Sequence, residues 1–447
     1  MRAFPDGFMW GVSTSAFQIE GSLDADGRGA SIWDDFGGES GDRGTIACDH
    51  YRRWREDIDL LQQLNVNAYR LSLAWPRLFP DGRMREQRGF DHYDRLLDAL
   101  HERGIEPVVT LYHWDLPIAL EREHGGWKGR ETAQRFAEYA AAAFDAFGDR
   151  VTWWLTINEP WIVGLLGYLH GLHAPGYRGD VLGEVTVFHH LLLAHGLAVR
   201  AFRDGGRGGM IGLAPNLAPH YPASPADEEV AHASDGYVNR WFLDAIFKGT
   251  YPEDMRARYE QEVGPLDFLR DGDAATISER TDYLGVNYYA PRVIESVPGD
   301  TPWPWRVIVP EGVQTTGGFT DGVARTEAGT PIVPAAFTDV LVRVHRDYGT
   351  PVLITENGAV FPEPVHDERR VRFVHDHLVA AADAIDQGAN VLGYCHWSFL
   401  DNFEWALGYT QRFGLVHVDY ETQARTLKDS GRYYARIAAA NALLPPD

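Results

Sequence analysis

Pro351-Val-Leu-Ile-Thr-Glu-Asn-Gly358 is the stretch on which the reading of the fold turns. Val352, Leu353, Ile354 and Thr355 form an apolar, β-branched run. Such a run predicts a strand buried on both faces, as in a parallel sheet. Asn357-Gly358 is a turn signal, so the strand ends there. Glu356 is then a carboxylate at the carboxyl end of a buried strand. A lone charge in that position is costly unless it is paired or used. On this stretch alone, an ion-paired or strand-terminating glutamate explains the sequence as well as a catalytic one does.

Seven further strand-like runs surround it in sequence: 8–12, 67–73, 107–112, 152–157, 210–216, 282–288 and 391–397. Long helical patterns lie between most of them. Tyr51, Trp54, Ile58 and Leu61 recur at helical spacing, as do Phe90, Tyr93, Leu96, Leu97 and Leu100. The segments 133–147, 185–202, 337–348 and 371–385 read the same way. Eight buried strands alternating with helices predict a closed (β/α)8 barrel with long loops at the C-terminal face of its strands. A doubly wound open sheet would carry a Gly-rich phosphate turn after its first strand, and Gly11 to Gly21 does not supply one. Without repeats, low-complexity tracts or a separating linker, residues 1–447 read as one catalytic barrel domain. The segment 296–318, rich in Pro and Gly, reads as the longest irregular stretch. It carries Trp303 and Trp305, and a loop of that length is more often functional than idle.

The net charge is -23 from 41 Lys plus Arg and 64 Asp plus Glu. That balance argues against nucleic acid or an anionic membrane as partner. It leaves neutral ligands open, and 14 Trp, 20 Tyr and 21 Phe offer the flat faces on which polyhydroxy ligands rest. Cys48 and Cys395 do not make a disulfide framework. Neither a signal peptide nor a run of ~20 apolar residues is legible. The expectation is a soluble, cytoplasmic protein whose partner is a small molecule, with its oligomeric state undetermined.

Strand four ends Thr156-Ile-Asn-Glu-Pro160. Pro160 keeps Glu159 out of helical geometry. Glu159 and Glu356 would therefore meet across one barrel mouth, the face where such folds place their chemistry. Two carboxylates flanking one bond are what glycoside hydrolysis needs, one protonated and one ionised. Gln18 and Glu20, Arg70, His113-Trp114-Asp115, Asn287-Tyr288-Tyr289, Trp397 and Asp401 to Trp405 fall at the same strand ends. Taken singly they have plainer readings: His113 as a satisfied core histidine, Trp397 and Trp405 as packing, Arg70 as structural. Their convergence on one face weakens those readings.

These motifs resemble family-one glycoside hydrolases, which include β-glucosidases, over nearly the whole chain. The resemblance rests on 8–21, Tyr69-Arg-Leu-Ser-Leu-Ala-Trp-Pro76, Leu111-Tyr-His-Trp-Asp-Leu-Pro117, 156–160, 354–358 and Trp397-Ser-Phe-Leu-Asp-Asn-Phe-Glu-Trp405, in the family's order. It implies a retaining β-glycosidase with Glu356 as nucleophile and Glu159 as acid/base. It implies that Gln18, His113, Trp114, Asn158, Asn287, Trp397, Glu404 and Trp405 surround the non-reducing sugar, with Arg70 and Tyr289 beside the nucleophile. No cofactor is implied. Gly329-Thr330 departs from the family's common Gly-Trp, which leaves the leaving-group preference open. A preference for β-galactosides or β-fucosides belongs to the same family. A 6-phospho-β-glycosidase is disfavoured because Glu404 would repel phosphate, and a non-catalytic sugar binder would be expected to lack one carboxylate. His189, His190 and His195 share a helix without a carboxylate to complete a metal set. Gly205 to Gly209 precedes a strand and reads as a turn.

Overall fold

The computed structural model describes residues 2–446 except 207, 300, 309–311, 316–317 and 322–323, with backbone only for 312–315 and 318–321. All eight expected strands form: β1 (Met9–Ser13), β2 (Ala68–Ser72), β3 (Glu106–Tyr112), β4 (Trp153–Asn158), β5 (Met210–Ala214), β6 (Leu284–Tyr288), β7 (Val352–Asn357) and β8 (Val391–Trp397). They lie in one parallel sheet ordered β5-β4-β3-β2-β1-β8-β7-β6. The remaining seam, β5 to β6, is closed by an Asn216–Asn287 bridge and by Asn287 N donating to Pro215 O at 3.0 Å. The result is a (β/α)8 barrel.

Every β7 residue is buried, as a strand packed on both faces must be. Only glycine fits just after it, because a Cβ on Gly358 would come within 1.7 Å of Trp397 O on the neighbouring strand. The barrel floor is filled by Met9, Ala68, Val108, Leu155, Ala214, Tyr283 and Leu353, one residue from nearly every strand or its lead-in.

The outer helices follow the apolar spacing: α1 (His50–Gln63), α2 (Gln87–Glu102), α3 (Arg130–Phe147), α4 (Val181–Asp204), α5 (Pro334–Tyr348), α6 (Glu368–Asp386) and α7 (Asp429–Ala440). In α1, Tyr51, Trp54, Ile58 and Leu61 face inward, Arg52, Arg55, Glu56 and Asp59 face water, and Asp57 is buried against His50 and Arg425. Contrary to the sequence reading, α4 is long and apolar enough to cross a bilayer, yet 78% of its most apolar window is buried inside the fold. Its hydrophobicity is that of a core helix packed on both sides.

The segment 296–318 is not irregular throughout. Trp305–Ile308 pairs antiparallel with Arg292–Ser296, which pairs with His220–Pro222 in a three-stranded accessory sheet. Gly312–Thr315 pairs with Gly318–Asp321. Residues 300, 309–311 and 316–317 of the segment lie outside the described residues.

Candidate active site

Glu159 and Glu356 stand at the ends of β4 and β7, buried at 4% and 2% exposure. Pro160 opens the helix Pro160–Gly164 and Glu159 caps it in the left-handed region, at φ 48°. Trp114 and Trp405, at φ 79° and 47°, are also left-handed. That conformation is unfavourable for bulky residues and is held by the surrounding structure.

Arg70, from the middle of β2, ties the two glutamates into one framework. Its Nη1 donates to Glu356 Oε1 and to Thr355 O, its Nη2 to Asn158 Oδ1 at 2.6 Å, and its Nε to Thr110 Oγ1 at 3.2 Å. Tyr289 Oη donates to Glu356 Oε2 at 2.5 Å. Both oxygens of Glu356 thus receive a donor, contacts that suit a carboxylate. Asn287 Nδ2 donates to Glu159 Oε1 at 2.8 Å and to Asn158 Oδ1 at 3.0 Å. Its carbonyl accepts from Thr355 Oγ1, the residue before Glu356, at 2.6 Å.

The two carboxyls differ in surroundings. Burial and the neighbouring Glu356 charge push Glu159 up to about 8, against the pull of Asn287, Arg70 and Asn216. It therefore keeps its proton at neutral pH. Burial and the Glu356 charge also hold the Tyr289 phenol well above its ordinary value, so it remains a donor. One protonated and one paired carboxyl is the division of labour that acid and nucleophile require.

A second cluster lies across the mouth, after β1 and β8. Gln18 Nε2 donates to Glu404 Oε2 at 3.2 Å, to Asn402 Oδ1 at 3.0 Å and to Phe403 O at 3.1 Å, while Ser15 Oγ donates to Gln18 Oε1 at 2.7 Å. Burial, then the Glu356 charge, raises Glu404 to about 8. His113 is held neutral by burial and by Arg70. Its Nε2 accepts from Asn158 Nδ2 at 3.1 Å, which assigns the proton to Nδ1, buried there without an acceptor. The His113 ring lies nearly parallel to Trp397 and Trp405, with centroids 5.8 and 6.0 Å away. Trp405 touches Trp114 at 4.8 Å and stacks on Phe17 at 5.7 Å. Trp114 is tied down by Nε1 donating to Asn158 O at 3.1 Å. Hydroxyl-binding groups beside flat apolar faces suit a ring with polar edges and C–H faces.

The loop bearing Glu404 and Trp405 is pinned from behind. Asp401 accepts from Lys428 Nζ at 2.8 Å, Arg412 Nη1 at 2.9 Å and Gly414 N at 2.9 Å, all but Arg412 deeply buried. These contacts hold the carboxyl well below its usual range despite burial.

All the expected site residues except Arg70 lie in or just after strand ends, and every one falls in these two connected clusters. Glu20 does not, because Arg77 Nε and Tyr93 Oη take its two oxygens at 3.0 and 2.5 Å. Trp303 packs on Tyr237 and Tyr259, at 5.6 and 4.9 Å, as part of the outer wall. His189 is bound by Asp273 and Tyr251, and His195 by Thr156. Among the described residues no group of His, Cys, Asp and Glu is arranged to hold a metal ion. Sequence reading missed Asn216, Thr355 and Thr110 as contacts. Asn216 closes the strand-like run at β5, and its position after that strand was the available signal.

The sequence profile of Glycosyl hydrolase family 1 matches residues 1–443. The chain belongs to that family. Among family members, "Beta-glucosidase A" of Thermotoga maritima is 42% identical over 461 aligned positions, covering 99% of both chains. A "Bifunctional beta-D-glucosidase/beta-D-fucosidase" of Bifidobacterium breve is 40% identical, covering 98% of both. The solved structure of the Thermotoga maritima β-glucosidase in complex with glucoimidazole superposes with a TM-score of 0.92 at 41% identity, over 99% of this chain and all of that one. As a family 1 member, this chain is a glycoside hydrolase acting with retention.

Proposed function

We propose that this glycosidase is a β-glucosidase, releasing terminal β-D-glucosyl residues from small neutral β-glucosides by double displacement on its one barrel. The observation that carries the reading is the pair of buried carboxyls: Glu159, kept protonated by burial, and Glu356, donated to by Arg70 and Tyr289. Glu356 attacks the anomeric carbon as Glu159 gives its proton to the departing oxygen. The anomeric carbon–oxygen bond breaks and a glycosyl ester on Glu356 forms. Glu159, now ionised, takes a proton from water, which displaces Glu356 from the opposite face. Two inversions give retention.

Gln18, Glu404, His113 and Asn158 are assigned to the sugar hydroxyls, with Trp397, Trp405 and Trp114 against its C–H faces. Asn287 orients Glu159. The Thermotoga maritima relative named a β-glucosidase supports the substrate assignment. The bifunctional Bifidobacterium breve relative supports a second activity on β-fucosides. Two buried, unpaired cysteines fit a reducing, cytoplasmic setting. The test is kcat/KM on a panel of aryl β-glycosides, with the first-formed sugar read by proton NMR. The β-glucoside is expected to lead and β-glucose to form first. A first-formed α-sugar would refute the assignment.

A further inference from the structure

The guanidinium of Arg292 meets no anion among the described residues. Arg292 opens the strand Arg292–Ser296, three positions after Tyr289. Its backbone N–H donates to Pro219 O at 2.8 Å. Its guanidinium has no carboxylate or carbonyl acceptor among the described residues. It lies over Trp161 instead, 4.8 Å from the ring centroid. Burial lowers its affinity for a proton, opposed only by the nearby Tyr237 phenol. A desolvated cation without a counter-charge is costly, and the ring face compensates in part. The isolation stands out in a chain of net charge -23.

The position gives the isolation a use. Trp161 is two residues after Glu159, and its Nε1 donates to Asn216 O at 2.9 Å. The Asn216 side chain reaches Glu159 itself. In the strand order, Gln18 and Glu404 follow β1 and β8, whereas Trp161 and Arg292 follow β4 and β6 in the other half of the ring. The cation therefore stands one ring, Trp161, away from the segment that carries Glu159, in the half of the mouth opposite the sugar-hydroxyl cluster. That is the side a leaving group occupies.

His220 is a second, independent sign. It is the strand partner of Arg292. Its Nδ1 lies 2.8 Å from Ala218 O, so Nδ1 carries the proton and Nε2 is left as an acceptor. Nε2 is buried with no donor, in a side chain that is 1% exposed. Donors without an acceptor and an acceptor without a donor sit on neighbouring strands.

We propose that Arg292, Trp161 and His220 form a leaving-group subsite for β-glucosides whose aglycone is an aryl carboxylate, in the manner of a phenolic acid. The guanidinium takes the carboxylate through paired N–H donors. A ring hydroxyl of the same aglycone serves His220 Nε2. This rests on the β-glucosidase reading above.

The test compares the 4-O-β-glucoside of 3,4-dihydroxybenzoic acid, whose 3-hydroxyl stays free for His220, with that of its methyl ester, which masks the charge. The quantity read is the ratio of kcat/KM, acid over ester, within each protein, so that any general loss of folding or catalysis cancels. In Arg292→Met the ratio is expected to fall by about ten- to hundredfold, the worth of one charge-assisted hydrogen bond, mostly through KM. Arg292→Lys should recover part of it. An equal ratio in wild type and Arg292→Met overturns the subsite while leaving the β-glucosidase reading intact. A wild type inert on both glucosides overturns both.

Discussion

Replacing Glu159 by alanine separates the two halves of the reaction. The framework predicts that the rest of the site stays in place. Asn287 Nδ2 loses Glu159 but keeps Asn158 Oδ1 at 3.0 Å, and Asn287 Oδ1 keeps Thr355 at 2.6 Å. The contacts of Arg70 and Tyr289 with Glu356 do not involve Glu159. The loss is then chemical. Assistance by a general acid is worth ~10²–10⁴ in rate, or ~2.7–5.5 kcal/mol at ~1.36 kcal/mol per decade. A poor leaving group should lose that whole factor. A dinitrophenolate needs no proton, so its first step should survive and the glycosyl-enzyme should accumulate. Azide needs no deprotonation and should attack that ester, giving the β-azide. The pH profile carries a further sign. Glu159 is pushed up to about 8, so wild-type kcat/KM should fall as pH rises through that value, and the alanine variant should lack that limb. Glu356→Ala should behave oppositely, losing hydrolysis whatever the leaving group and giving the α-azide. Stopped-flow kinetics and proton NMR of the azide product read all of this. An α-azide from Glu159→Ala, or the same loss for every leaving group, would refute the assignment of roles.

Glu404→Ser should cut kcat/KM by ~10- to 100-fold, the cost of leaving one or two buried hydrogen bonds unmade, and should cost the glucoside more than its 6-deoxy analogue. Equal losses on both, or a wild type that prefers the 6-phosphorylated sugar, would displace Glu404 from the far hydroxyls. Glu184, on α4, is buried with only the Tyr237 hydroxyl donating to its side chain among the described residues, and burial raises it to about 8. A carboxyl raised on folding stabilises fully below its unfolded pKa, and that contribution is lost as pH climbs through about 8. The thermal midpoint should therefore fall between about pH 5 and about pH 8, and less so in Glu184→Gln. Parallel curves for the two proteins would contradict this.

The barrel was legible because its signal is local. Each strand is a short apolar run ended by a turn, and each of its helices shows an apolar stripe, so the ends of β1 to β8 fell within a few residues of the reading. The two glutamates were legible as charges at the ends of buried runs. Their partners were less so. Arg70 and Glu356 are 286 positions apart, and nothing in local periodicity says that Arg70 serves both Glu356 and Asn158. The Asp401–Lys428 pair behind the Glu404 loop was invisible for the same reason. Of the accessory sheet, Ser296 and Trp305–Ile308 lie in the segment that reads as irregular and the strands His220–Pro222 and Arg292–Glu295 give no signal, because they are short, carry charges and pair with one another.

The left-handed backbone at Trp114, Glu159 and Trp405 also bears on how this protein can change. Each such residue costs ~1–3 kcal/mol that glycine would not incur. At Trp114 and Trp405 the buried ring's packing, worth ~3–5 kcal/mol, outweighs that strain, but at Glu159 glycine would relieve the backbone and remove a buried carboxyl, so a population selected for heat resistance alone gains there and gives up the proposed proton donor. Selection for turnover keeps the strained residues and must find heat resistance elsewhere, in the outer helices and the barrel floor. The backbone at the mouth thus sets durability against turnover at Glu159, and makes both depend on the same two rings at Trp114 and Trp405.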